Sequence, residues 1–203
     1  MKQDLPNIDL PTPRDIARFC NEYRDFSIES LRLKANDNPH WQLLIDQKHG
    51  QRALRQRWPS LCQLPGYLLP PMSNARQASS EVTARWKAQF LHHAIGSPKS
   101  WKGLDTTGGS GIDTWGFERC GARMTIIEPD EHLATMLRHN GRVLHQTRHV
   151  IQGQAESLLP GPFDALYADP STLKNGKRVF HPNACAPNAV EMMPHWLAMS
   201  EQV

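Results

Sequence analysis

Residues 101–140 hold the pattern that most narrows what this chain can fold into. A short apolar run closes on Asp105, and a loop with Gly108, Gly109 and Gly111 follows. A helix-period stretch comes next, then a second run from Met124 to Ile127 that ends on the acid Glu128. Strand, glycine turn, helix, strand, acid is the grammar of a nucleotide-binding βαβ unit. Glycines let the backbone approach a ligand, and the free N–H groups of the next helix point at it. An acid at the tip of the second strand can accept both hydroxyls of a ribose.

The loop discriminates between nucleotides. A dinucleotide fingerprint needs glycine at its first, third and sixth positions. Counting from Gly109 gives Gly109, Gly111 and Thr114, so the third glycine is absent. The pattern is instead D-x-x-G-G-x-G-x-D, from Asp105 to Asp113. An acid at Asp105 suits a ligand with a positive amino group, such as the methionine part of S-adenosylmethionine (SAM). A plain α/β domain with a glycine turn explains the glycines but leaves Asp105 and Glu128 without a reason.

At 203 residues the chain has room for one full domain and a small accessory one. Hydrophobic residues make up 39% and charged residues 21%, enough apolar content for a packed core. No run has the length of a membrane span, and the first ten residues lack a signal-peptide core. Cys20, Cys62, Cys120 and Cys185 are far apart with no C-x-x-C pair, which reads as reduced thiols in a cytoplasmic protein. The ten histidines show no metal-ligand spacing, so no metal is expected.

Three divisions are expected: a helical lobe over 1–58, an ordered connector over 59–78, and a Rossmann-like α/β domain over 79–203. In the lobe, Thr12 before Pro13 and Asp15 marks a helix start, and Asn36-Asp37-Asn38-Pro39 a break. The connector carries Pro59, Pro65, Gly66, Pro70 and Pro71, and its leucines suggest that it lies on the following domain. Ser79-Ser80-Glu81-Val82-Thr83 starts another helix, whose Val82, Trp86, Phe90 and Leu91 are expected to pack on the sheet. Basic charge concentrates in residues 47–99, with eight Lys/Arg against Glu81 alone. Such a segment, with Arg52, Arg55 and Arg57 on or near one helix, is either a polyanion-binding patch or a solvated face.

Two further strands are predicted, His149 to Ile151 and Phe163 to Ala168. The first leads to Gln154, whose amide oxygen could meet an adenine amine. The second ends on Asp169-Pro170, where ligands bind in open parallel sheets.

At these residues the sequence resembles class I SAM-dependent methyltransferases of the RNA-modifying kind. It resembles most of all bacterial proteins that carry a THUMP-like C-terminal domain, and trimethylguanosine synthase more distantly. Residues 79–88, Asp105 to Asp113, Asp164 to Ser171 and Gly176 to Phe180 carry the resemblance, which spans residues 59–195. It implies that Asp105, Gly108, Gly109 and Gly111 hold the methionine part of SAM, with Asp113 nearby. Glu128 would hold the ribose and Gln154 the adenine edge. Asp169-Pro170 matches the start of an Asp/Asn-Pro-Pro-aromatic motif that aims an amine at the sulfonium methyl, with Ser171 and Thr172 in place of the last two residues. RNA is the implied partner, and a non-catalytic SAM- or RNA-binding module, or a degenerate fragment of a methyltransferase, is the rival reading. Only 34 residues follow Asp169, too few for the three further strands of a seven-stranded sheet. The strand before Asp169 is therefore expected at a sheet edge, open to self-association.

Overall fold

A computed structural model describes residues 10–35, 38–156, 161–174 and 177–200. The side chains of Lys174 and Lys177 are not among the described ones. Of the sequence signals, Asn36, Asp37 and Gly176 lie outside this set. The chain divides into two compact units, 1–77 and 78–203.

The first unit is helical. α1 (Pro13–Glu22) starts as the sequence requires, with a capping box in which Thr12 and Asp15 satisfy each other's backbone N–H groups. α2 (Ile28–Ala35) and α3 (Pro39–Ala53) follow, the latter capped by Asn38. Phe19, Tyr23 and Trp41 pack ring on ring between α1 and α3. The segment expected as an ordered connector is tied to α3. Buried Gln47 of α3 donates to the Leu69 carbonyl and accepts from the Leu69 N–H, both at 2.8 Å. The segment through α4 (Met72–Gln77) therefore groups with the helical unit.

In the second unit the order is α5 (Glu81–Ala94), β1 (Trp101–Asp105), α6 (Ile112–Arg119), β2 (Ala122–Glu128), α7 (Glu131–Val143), β3 (His149–Gln152) and β4 (Ala165–Tyr167). A hairpin of β5 (Leu173–Lys174) and β6 (Lys177–Arg178) and the helix α8 (Ala189–Met199) complete it. The four longer strands are parallel in the order β3-β2-β1-β4, the Rossmann-like arrangement expected. β4 pairs with β1 alone among the described strands, so it is an edge, as the sequence predicts.

Helices cover both faces of this sheet. Ala88, Phe117, Ala134 and Leu137 from α5, α6 and α7 meet Trp101, Met124 and Ile126 on one face. Met192, Trp196 and Met199 of α8 meet Leu104, Ile127 and Leu166 on the other. Pro194 sits inside α8 without ending it. β5 and β6 have no counterpart in the sequence reading, because two-residue strands leave no periodicity to read.

The packing face of α5 differs from the expected one. Val82, Trp86 and Phe90 are exposed, and only Leu91 of the four packs partly on the core. Ala84 and Ala88 face inward instead. The reason is close approach: a Cβ on Gly116 of α6 would stand 2.6 Å from the Ala84 carbonyl oxygen. Small residues let the two helix backbones nearly touch, and large ones are turned outward.

Candidate active site

All four parallel strands end on one edge of the sheet, and the chain reverses direction of winding between β1 and β4. That switch point is where open α/β sheets bind ligands. The loops on its two sides are tied together. Thr106 N–H donates to the Tyr167 carbonyl at 3.0 Å, and Asp169 N–H donates to Thr107 Oγ1 at 2.8 Å.

On the β1–β2 side the acids brace the backbone. Asp105 is 1% exposed and accepts from Thr107 N–H at 3.0 Å and from the Thr114 hydroxyl at 2.7 Å. Burial pushes its carboxyl up to about 6, against the lowering effect of those hydrogen bonds. Glu128 accepts from Gly109 N–H at 2.6 Å and from Asp130 N–H at 2.8 Å, and burial raises its carboxyl as well. A carboxylate oxygen keeps a second lone pair after one such bond, so Glu128 still has acceptor capacity. Gly111 stands at the N-cap of α6 with φ +74°, and a Cβ there would reach within 2.5 Å of Leu137. Gly108 is similarly filled by Ile126. Gly109 is different: its missing Cβ points to open space, with only Thr107 O near it.

Asp113, in the first turn of α6, joins this loop to the other side. Its Oδ2 accepts from Ser79 at 3.2 Å, from Tyr167 at 3.2 Å and from the Lys87 ammonium at 3.4 Å. Its Oδ1 is buried and has no partner among the described residues. Asp169, after β4, is held by the same Lys87 at 3.3 Å and the same Tyr167 at 3.2 Å, with Pro170 directly behind it. Burial, then the Asp113 and Asp169 carboxylates, push the Tyr167 phenol far above its ordinary value, so it is a neutral donor. Gln154 stands exposed just past β3, where Gly153 N–H donates to the Glu128 carbonyl.

The structure thus brings Asp105, Gly108, Gly109, Gly111, Asp113 and Glu128 to one loop system and Asp169-Pro170 to its neighbour. Lys87 and Tyr167 were not foreseen. Reading Ala84 and Ala88 as the inner face of α5 would have pointed to Lys87, which flanks that face. Arg52 lies in the last turn of α3, Arg55 lies beyond it, and Arg57 donates to the carbonyls of Ala75 and Arg76. Arg24, Lys48, Arg52 and Arg55 line a cleft of about 890 Å³ in the helical unit. Among the described residues no group of His, Cys, Asp and Glu could hold a metal, and no helix is long and apolar enough to cross a membrane.

No protein-family model matches this sequence, and no curated protein matches it. Solved structures do match. A candidate methyltransferase from Porphyromonas gingivalis W83 superposes with a TM-score of 0.70 at 24% identity, over 94% of this chain and 48% of that one. A candidate class I S-adenosylmethionine-dependent methyltransferase from Listeria monocytogenes superposes with a TM-score of 0.50 at 13% identity, over 93% and 68%. The chain spans about half the length of the Porphyromonas protein. Its fold is the Rossmann-like α/β fold of these methyltransferase structures.

Proposed function

We propose that the chain binds SAM and transfers its methyl group to an RNA acceptor, with a base amine as the target. One observation carries the cofactor reading. Asp113 Oδ1 is buried and unpartnered among the described residues, beside a loop whose Gly109 leaves open space. An unsatisfied buried carboxylate oxygen is costly unless a ligand supplies the donor. The methionine ammonium of SAM is such a donor.

Asp113 would take that ammonium, Glu128 the ribose and Gln154 the adenine edge, while Asp105 and the glycines shape the loop. When bound, SAM supplies a methyl group already activated on sulfur, so the protein's part is alignment and exclusion of water. Asp169 and the Pro170 backbone would accept from the target amine and turn its lone pair toward the methyl. The resemblance to RNA-modifying methyltransferases with a THUMP-like domain supports RNA as acceptor. The cleft lined by Arg24, Lys48, Arg52 and Arg55 supplies the kind of charge a phosphate backbone needs. Self-association through the open edge of β4 belongs to the same reading.

A non-catalytic binding module is favoured by one feature. Lys87 and Tyr167 already engage the Asp169 carboxylate, and Ser171 and Thr172 offer no ring for stacking. Calorimetry with SAM, S-adenosylhomocysteine and NAD tests the cofactor, and release of S-adenosylhomocysteine in the presence of unmodified RNA tests transfer. Binding of the first two but not NAD, with product release, is expected. Equal binding of NAD and SAM would contradict the reading, and SAM binding without product release would leave the binding module.

A further inference from the structure

We propose that Lys87 is the built-in counter-cation of the crevice and sets how strongly the site prefers a charged sulfonium over its neutral thioether product. The inference rests on the SAM reading above. Lys87 reaches in from α5 and its ammonium lies 3.4 Å from Asp113, 3.3 Å from Asp169 and 2.5 Å from the Tyr167 hydroxyl. These partners come from the two sides of the switch point, one opening α6 and one following β4. Tyr167 stands 3.2 Å from each of the same two carboxylates with a single proton to share between them and stays neutral, so it balances no charge. Two carboxylates and one ammonium leave the cluster with one net negative charge. Without the ammonium, the two like charges sharing one phenol oxygen would repel each other.

In methyl transfer the sulfur–methyl bond breaks, its electron pair stays on sulfur, and the acceptor's lone pair forms the new bond to carbon. The positive charge leaves the sulfur for the acceptor, which then releases a proton to solvent. A fixed ammonium in the crevice therefore opposes the sulfonium of the donor but not the uncharged sulfur of the product, while the methionine ammonium, common to both ligands, leaves their ratio unchanged. Lys87 holds the acceptor-side and donor-side carboxylates together at the expense of part of the preference for SAM. It is a positioning residue, and nothing in the comparisons or the sequence motifs assigns it that role.

The dissociation constants of SAM and S-adenosylhomocysteine are to be measured by calorimetry for the unaltered chain, Lys87→Arg and Lys87→Met. Methionine keeps a straight stem and removes the charge. Lys87→Met is expected to raise the preference for SAM over S-adenosylhomocysteine roughly fivefold, the size of one charge–charge interaction well screened by water. Lys87→Arg should leave the ratio within about twofold, because it keeps the charge. A merely structural role would shift both constants in proportion. If Lys87→Met does not fold by circular dichroism, Lys87→Gln carries the same comparison. Both ligands binding with an unmoved ratio overturns this proposal alone. Failure of either ligand to bind the unaltered chain overturns the SAM reading, and this one with it.

Discussion

The two sides of the crevice are built from different materials. On the β1–β2 side, Asp105 and Glu128 are buried and spend their oxygens mainly on the N–H groups of Thr107, Gly109 and Asp130. On the β4 side, Asp169 has an exposed side chain held by Lys87 and Tyr167, which are 82 and 2 residues away. Backbone bracing is local and fixes one loop shape. Side-chain bracing is long-range and can rearrange when a ligand arrives. The first side is suited to gripping a constant cofactor, the second to meeting an acceptor.

The largest expected effect comes from removing what keeps the first side rigid. Arg148, just before β3, makes a two-pronged ion pair with Glu118 of α6 at 2.6 and 2.7 Å, and both side chains are almost wholly buried. Arg148→Ala leaves an unpaired buried carboxylate and should lower stability by about 3–5 kcal/mol in urea melts. A loss under about 1 kcal/mol would show that the donor side is not held from behind.

Asp105→Asn should go the other way. A carboxyl raised above its ordinary 3.8 to about 6 contributes stability that is full below pH 3.8 and lost as pH rises through 6. The uncharged amide avoids that loss, so Asp105→Asn should be more stable at pH 8, on the order of 1–3 kcal/mol, and no more stable at pH 4. In the unaltered chain, affinity for the cationic SAM should rise with pH through about 6 as Asp105 ionises. Flat affinity between pH 5 and 8 would count against a buried acid beneath the cofactor.

The contrast between the two sides also explains what the sequence made legible. Asp105, the glycines and Glu128 lie within 24 positions and their order alone implies a loop, a helix start and a strand end. Thr12 and Ser80 mark two helix starts because capping is a local matter, whereas Asn38, which reads in the sequence as part of a break, caps α3. The Lys87–Asp113–Tyr167–Asp169 cluster joins three distant segments, and no local pattern records it. The sequence pattern points to the wrong face of α5 because Trp86 and Phe90 weigh more in a hydrophobic pattern than Ala84 and Ala88. What decides that packing is Gly116, on another helix. The Gln47–Leu69 pair, which draws the expected connector onto α3, is invisible for the same reason.

Asp169→Ala should give the smallest change in stability, about 0.5 kcal/mol or less, because an exposed ion pair contributes little. SAM affinity should change only a fewfold, whereas methyl transfer should fall at least about a hundredfold if Asp169 aims the acceptor. A variant that binds SAM and transfers at the normal rate would remove Asp169 from the acceptor role.

Amide hydrogen exchange with and without S-adenosylhomocysteine tests the division most directly. Residues 107–113, Glu128 and Asp130 should slow on binding, since their N–H groups belong to the cofactor loops. Leu173, Lys174, Lys177 and Arg178, in the paired strands β5 and β6 beyond Asp169, should exchange at the same rate in both states. Slowing in the hairpin with none in residues 107–113 would contradict the assignment of the cofactor to the β1–β2 side.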